Sequence, residues 1–142
     1  MFSIGDLSRR TGVKVPTIRY YEGMGLLTPV TRSDGNQRRY DKRGLDRLGF
    51  IRHARDLGFP LEAIQALMAL QDHPDRSCKE ATDIAVGQLD KVRRKISQLQ
   101  ALERELTRIA GACDGGGAAG DCHVLVCLAD HANCEADHPR VS

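Results

Sequence analysis

Apolar residues recur at helical spacing in several stretches of the chain, and glycines or prolines separate these stretches. Ser3 followed by Asp6 has the spacing of a capping box and predicts the start of a first helix. A turn at residues 11–13 and a proline at Pro16 then predict a second helix that runs to about Gly23. Two short helices joined by a glycine-containing turn are typical of a helix-turn-helix motif.

Residues 25–40 have a different pattern, which predicts a small hairpin. A short extended run at residues 26–30 is followed by a turn at residues 33–36, and residues 37–40 return from it. Arginines lie on the returning arm. The pattern indicates a wing that can lie on a phosphate backbone.

Two further helices are predicted between residues 41 and 72. Asp41 is a suitable N-cap for the first of them, and Gly58 ends it. Pro60 opens the second, which stops at the polar residues 72–74.

A long helix is predicted over residues 78–112, where there is no proline and only one glycine. Its apolar residues alternate steps of four and three, which is the seam spacing of a coiled coil: Ala85, Leu89, Val92, Ile96 and Leu99. Packing of this stripe back onto its own domain is the alternative, but we expect it to pair with a second copy. A glycine-rich loop follows, and then a short helix at about residues 124–128.

Charge is distributed unevenly along the 142 residues. Residues 1–60 hold 12 Lys and Arg against 6 Asp and Glu, whereas residues 113–142 hold 1 against 5. A basic beginning and an acidic end rich in cysteine and histidine indicate two different tasks. Only 4% of residues are aromatic, so we expect the core to be completed by oligomerisation.

No apolar run reaches the roughly 20 residues that a bilayer requires, and the first 20 residues lack a signal-peptide pattern. We therefore expect a cytoplasmic protein without a membrane partner. In that compartment five cysteines indicate metal ligands or reactive thiols rather than disulfides. No nucleophile and base are paired on a recognisable scaffold, so we do not expect an enzyme.

An ordered series of motifs resembles the N-terminal part of the MerR family of transcription regulators. The series covers roughly residues 1–112 and consists of IRYYE at 18–22, GLLTP at 25–29, RSDGN at 32–36, FIR at 50–52 and LGF at 57–59. The resemblance implies a mainly α fold in three parts. These are a winged helix-turn-helix DNA-binding domain at residues 1–75, a long antiparallel dimerisation coiled-coil helix at 76–112, and a short metal-binding loop and tail at 113–142.

The resemblance also implies how such a protein acts. It is expected to be a homodimer on a palindromic operator in double-stranded promoter DNA, between promoter elements that are spaced too far apart. The effector-bound dimer distorts this DNA so that RNA polymerase can use the promoter. Contacts to DNA are implied for two groups of residues, on the second helix and on the wing: Lys14, Thr17, Arg19, Tyr20, Arg38 and Tyr40. Many relatives have an aromatic residue or arginine where this chain has Gln37.

Cysteines near both ends of the long helix are the candidate sensing residues. In an antiparallel dimer the start of one long helix lies beside the end of the other, so Cys78 of one subunit can complete a site formed by Cys113 and Cys122 of the other. Three thiolates with one more ligand suit tetrahedral Zn(II), and they also bind Cd(II) or Pb(II). His123 and Cys127 are further candidate ligands.

The resemblance favours a divalent ion. A cysteine at position 78 accompanies divalent sensing in this family, whereas copper and gold sensors usually have serine there, and the loop length between Cys113 and Cys122 is closer to that of zinc sensors. We therefore expect an activator of a metal resistance or efflux promoter that responds to Zn(II), or to Cd(II) or Pb(II). A copper(I)-responsive regulator and a redox-sensing regulator of the same fold are the alternatives, although the cysteines are spread too widely for a typical iron–sulfur cluster. The sequence leaves the roles of His131, Cys134 and His138 open.

Overall fold

The computed structural model describes residues 1–112 and 115–130. In chain order the elements are β1 (Phe2–Ser3), α1 (Ile4–Thr11), α2 (Val15–Gly23), β2 (Thr31–Arg32), β3 (Arg38–Tyr40), α3 (Lys42–Asp56), α4 (Leu61–Gln71), α5 (Lys79–Gly111) and, after a 3-10 turn at Ala119–Asp121, α6 (His123–Ala129). The described residues are therefore mainly helical, which confirms the predicted fold class. The chain divides into two compact units, Met1–Ala85 and Val86–Ser142, and each is described by itself.

Capping residues start the helices of the first unit where the sequence predicts them. The Ser3 hydroxyl accepts from the Asp6 N–H at 3.1 Å, and the Asp6 carboxylate accepts from the Ser3 N–H at 3.0 Å. The hydrogen bond from the Ser3 backbone N–H, followed by the interaction with the Ser3 side chain, lowers the pKa of the Asp6 carboxyl group below its usual value. Gly12 ends α1 with a φ of 76°, a conformation that glycine adopts without strain. Asp41 caps α3 by accepting from the Gly44 N–H at 3.0 Å.

A three-stranded antiparallel sheet forms the wing, with β3 between β1 and β2. Phe2 lies opposite Tyr40, and Thr31 lies opposite Arg39. The predicted hairpin is β2 and β3, and its turn is closed by a 3.1 Å hydrogen bond from the Gln37 N–H to the Ser33 hydroxyl. The third strand, β1, ties the wing to the start of the chain.

One hydrophobic core serves the helix-turn-helix and the wing together. Residues from α1, α2, the loop after α2, β3, α3 and α4 are almost fully buried in it: Leu7, Ile18, Leu27, Tyr40, Leu48, Ile51, Ile64 and Met68. Because these elements share one core, the position of the wing relative to α2 is fixed by packing.

The long helix α5 carries an exposed apolar stripe. At 33 residues it is roughly 50 Å long. Six of its large apolar side chains are 40–61% exposed in the single chain: Val86, Leu89, Val92, Ile96, Leu99 and Leu106. The stripe has the seam spacing of a coiled coil. Within residues 1–112 and 115–130, no helix has both the length and the apolar character of a membrane span.

Candidate nucleic-acid interface and candidate metal centre

Helix α2 presents polar side chains on the side opposite its buried anchors. Ile18 and Tyr21 face the core, whereas Arg19 is exposed and Tyr20 is 57% exposed. Positions 19 and 20 lie away from positions 18 and 21 on a helix of 3.6 residues per turn. An arginine and a tyrosine on one solvent-facing surface can contact a DNA groove and its phosphates.

The start of α2 adds two more of the predicted contacts. Lys14 is the exposed N-cap residue, and its carbonyl accepts from the Thr17 and Ile18 N–H groups at 2.9 and 3.0 Å. Thr17 is half-buried on the first turn. A lysine at a helix N-terminus adds its charge to the partial positive charge of the helix dipole, which favours a phosphate there.

Glu22, near the end of α2, holds both wing residues that the sequence predicts to contact DNA. The Arg38 Nε donates to Glu22 Oε1 at 2.6 Å, and the Tyr40 hydroxyl donates to Glu22 Oε2 at 2.5 Å. The Glu22 side chain is 16% exposed and that of Arg38 is 33% exposed. The contacts therefore join α2 to β3 through one carboxylate.

The charge of Glu22 also strengthens its contacts with Arg38 and Tyr40. The hydrogen bond and the charge of Glu22 raise the pKa of Arg38 above its usual value. Burial first, and the hydrogen bond to Glu22 second, raise the pKa of Tyr40 well above its usual value of 10.0. Both groups thus stay in the protonated form that donates to Glu22.

The position of Tyr40 corrects the expectation that its side chain contacts the DNA backbone. Tyr40 is 0% exposed, and its hydroxyl is used by Glu22. The physical reason is that the ring is needed in a small core with few aromatic residues, at the junction of β3 and α3. The resemblance did not single out Glu22 as a partner, because no sequence spacing rule links positions 16 and 18 residues apart.

The candidate metal ligands lie on either side of helix α5 in the sequence. Cys78 is exposed with a free thiol immediately before α5, and its carbonyl accepts from the Thr82 N–H at 3.0 Å. Cys122 is half-buried immediately before α6. Cys113 lies outside the described residues, as do the tail residues His131, Cys134 and His138.

Cysteine thiolates are ligands of the chemical type that thiophilic metal ions prefer. Thiolates of Cys78 and Cys122 are ligands that Zn(II), Cd(II), Pb(II) and Cu(I) accept. Among the described residues, no three His, Cys, Asp or Glu side chains are close enough together to hold a metal ion.

The last two predicted ligands, on α6, both contact one arginine. Arg108 on α5 lies 3.4 Å from His123 Nε2 through Nη1, and its Nη2 donates to Cys127 Sγ at 3.7 Å. The same guanidinium contacts the carboxylate of Glu105 at 2.6 and 3.4 Å. Glu105 is 7% exposed and Cys127 is 2% exposed, so this cluster is largely buried.

Comparisons with known proteins agree with these features. Residues 2–71 match the family described as "MerR HTH family regulatory protein", and residues 45–109 match the one described as "MerR, DNA binding". The HTH-type transcriptional regulator ZntR of Escherichia coli K12 is 40% identical over 81% of this chain and 82% of its own length. The heavy metal-dependent transcription regulator 2 of Rhizobium meliloti is 36% identical over 87% of this chain and 83% of its own.

Solved structures give the same result at the level of the fold. The transcription regulator PbrR691 from Ralstonia metallidurans CH34, crystallised with lead(II), superposes with a TM-score of 0.77. It is 38% identical and the alignment covers 90% of this chain and 99% of that one. Family, relatives and fold all describe regulators that bind DNA, not enzymes.

Proposed function

Because this chain belongs to the MerR family of helix-turn-helix transcription regulators, we propose that it activates a metal resistance or efflux promoter in response to a thiophilic metal ion. The observation that carries this proposal is the presence of cysteines immediately before α5 and immediately before α6, in a chain similar over most of its length to regulators named for heavy metals and crystallised with lead(II).

For the DNA-binding part, we assign residues 1–75, with contacts from Lys14, Thr17, Arg19 and Tyr20 on α2. Arg38 on the wing contacts the phosphate backbone with the part of its guanidinium that Glu22 does not hold. Tyr40 acts from inside the core by holding Glu22. Phosphate contacts of this kind supply affinity and register, and base-edge contacts from α2 supply the choice of sequence.

For the sensing part, we propose that Cys78 of one protomer acts with Cys113 and Cys122 of its partner across an antiparallel pair of α5 helices. The exposed stripe on α5 supports the pairing, since apolar side chains at seam spacing are stabilised by a second copy. A dimer with two DNA-binding units matches a palindromic promoter site. RNA polymerase is the partner that then uses the distorted promoter.

Zn(II) is the ion that we favour, with Cd(II) or Pb(II) as close competitors. A third sulfur donor at Cys78 suits an ion that takes three or four ligands, whereas Cu(I) is satisfied by two thiolates. Loss of thiol protons accompanies metal binding at such a site, so the response weakens as the pH falls. A copper(I)-responsive regulator stays the second candidate.

A metal titration of the reduced protein tests the assignment. Zn(II), Cd(II), Pb(II) and Cu(I) are titrated against competing chelators for the wild type, Cys78→Ser and the exposed control Asp75→Asn. We expect Cys78→Ser to lose at least roughly tenfold in affinity for the divalent ions while its Cu(I) affinity is unchanged. Asp75→Asn should match the wild type. Unchanged divalent affinity in Cys78→Ser would remove Cys78 from the site and favour copper(I).

A further inference from the structure

Three side chains that commonly bind metal ions converge on one arginine in the second unit. Arg108 contacts the Glu105 carboxylate, His123 Nε2 and Cys127 Sγ, at 2.6, 3.4 and 3.7 Å for the closest atoms. His123 and Cys127 are four residues apart on α6, so they share a face of that helix. Oxygen, nitrogen and sulfur atoms that could each bind a metal ion thus contact the positively charged guanidinium of Arg108.

The contact with His123 restricts the imidazole. A guanidinium has only N–H donors, so it can form a favourable contact with Nε2 only when that nitrogen offers its lone pair. A metal ion bound through Nε2 would need the same lone pair. The Cys127 sulfur has more than one lone pair, but the hydrogen bond that it accepts from Arg108 keeps the positively charged guanidinium beside it.

The arginine is also well fixed. Two of its nitrogens contact both oxygens of Glu105, and the Glu105 side chain is only 8% exposed. Arginine stays charged at every physiological pH, and it cannot be displaced by loss of a proton. A divalent ion that approaches His123 and Cys127 therefore meets a buried positive charge that is already paired.

We propose that Arg108 is a specificity-determining residue that competes with metal ions for His123 and Cys127. Its guanidinium takes up the lone pair of His123 Nε2 and keeps a positive charge beside Cys127 Sγ. The wild-type chain consequently binds its ion through the cysteine set at positions 78, 113 and 122, and α6 contributes donors only when Arg108 is displaced. This inference rests on the proposed metal response, and it refines which of the predicted ligands serve it.

Removal of the guanidinium tests the competition. Zn(II) affinity and stoichiometry are measured by competition with a chromophoric chelator for the wild type, Arg108→Met, Arg108→Met with Cys127→Ser, and Arg104→Met. Arg104 is an exposed arginine one turn earlier on α5, so Arg104→Met controls for loss of charge alone. Co(II) serves as a second probe, because its sulfur charge-transfer band grows with each thiolate ligand.

Arg108→Met is expected to bind Zn(II) roughly tenfold more tightly or to take up an additional equivalent. Its Co(II) band should be stronger, and the gain should vanish when Cys127→Ser is added. Arg104→Met should match the wild type. Affinity and Co(II) spectra unchanged in Arg108→Met would overturn the proposal, and so would a gain that persists without Cys127.

A second variant guards against loss of folding. Arg108→Met leaves the buried Glu105 carboxylate without its arginine, so Glu105→Gln is combined with Arg108→Met to keep the cluster neutral, and helicity is checked by circular dichroism. The same gain through Cys127 is expected in this pair. If the wild type binds Zn(II) and neither variant differs from it, only this inference fails. If the wild type binds none of the tested metal ions, the proposed function itself fails.

Discussion

At the scale of single residues, Glu22 holds two residues of strand β3 that differ in exposure. Its carboxylate accepts from Arg38 and from Tyr40 at the same time. Arg38 keeps a third of its side chain exposed and so reaches solvent, whereas Tyr40 lies wholly in the core. One side chain is therefore available to a phosphate, and the other fixes the carboxylate that orients it.

Tyr40 should give the protein a distinct alkaline titration. Its pKa is raised in the folded chain, so the folded state keeps the phenol proton after the unfolded chain has begun to lose it near pH 10. Stability from Tyr40 is thus fully present below about pH 10 and decreases as the pH rises further. In an ultraviolet titration, one of the three tyrosines should ionise only well above that pH, and this late component should be absent from Tyr40→Phe.

Denaturant midpoints at pH 8 and at pH 11 provide the control for that titration. The wild type should lose more stability between the two values than Tyr40→Phe does. The buried Tyr40–Glu22 hydrogen bond would be contradicted if both proteins lost equal stability between the two pH values and all three tyrosines ionised near pH 10.

At the scale of elements, local chemistry made most of the fold predictable. Ser3 with Asp6, Pro16 and Asp41 act within one helical turn, so the starts of α1, α2 and α3 could be inferred from neighbouring residues. The strand β1 could not, because two residues are too short to show an alternating pattern and its partner is almost 40 residues away.

The site was less predictable than the fold for the same reason. The DNA contacts of Arg19 and Tyr20 are implied by the family resemblance, and the structure exposes both side chains. The partners of Arg38 and of Cys127 lie 16 and 19 residues away along the chain, and such contacts depend on packing that no local pattern encodes. The metal ligand set is a prediction that the described residues leave untested, since Cys113 lies outside them.

The stripe on α5 leads to a prediction about assembly. Ile96 is 49% exposed in the middle of α5, with Val92 and Leu99 on the same stripe. Asp in place of Ile96 would bury a charge at the seam of a pair, which is strongly unfavourable. Light scattering should give about twice 15.6 kDa for the wild type and for the control Lys95→Gln, but a monomer mass for Ile96→Asp. A dimeric Ile96→Asp would show that the pairing surface lies elsewhere.

At the scale of the whole molecule, the two ends of the chain differ in charge and in the chemistry of their side chains. The basic residues 1–60 are suited to a polyanion, and the cysteines beyond α4 are suited to a soft cation. Bending a short DNA site costs on the order of 1–6 kcal/mol. A metal ion that binds the distorting conformation about 100-fold more tightly than the other supplies about 2.7 kcal/mol, which lies within this range.

We propose that the dimer distorts operator DNA only when metal is bound, and DNA footprinting tests this proposal. An operator is first selected from random duplexes with the purified dimer, and its cleavage pattern is then compared with Zn(II) and with a chelator, using the wild type and Cys78→Ser. If this proposal is correct, both proteins protect the same site, and only the wild type with Zn(II) produces new hypersensitive positions at the operator centre. An identical cleavage pattern with and without metal, for each ion that the wild type binds, would contradict it.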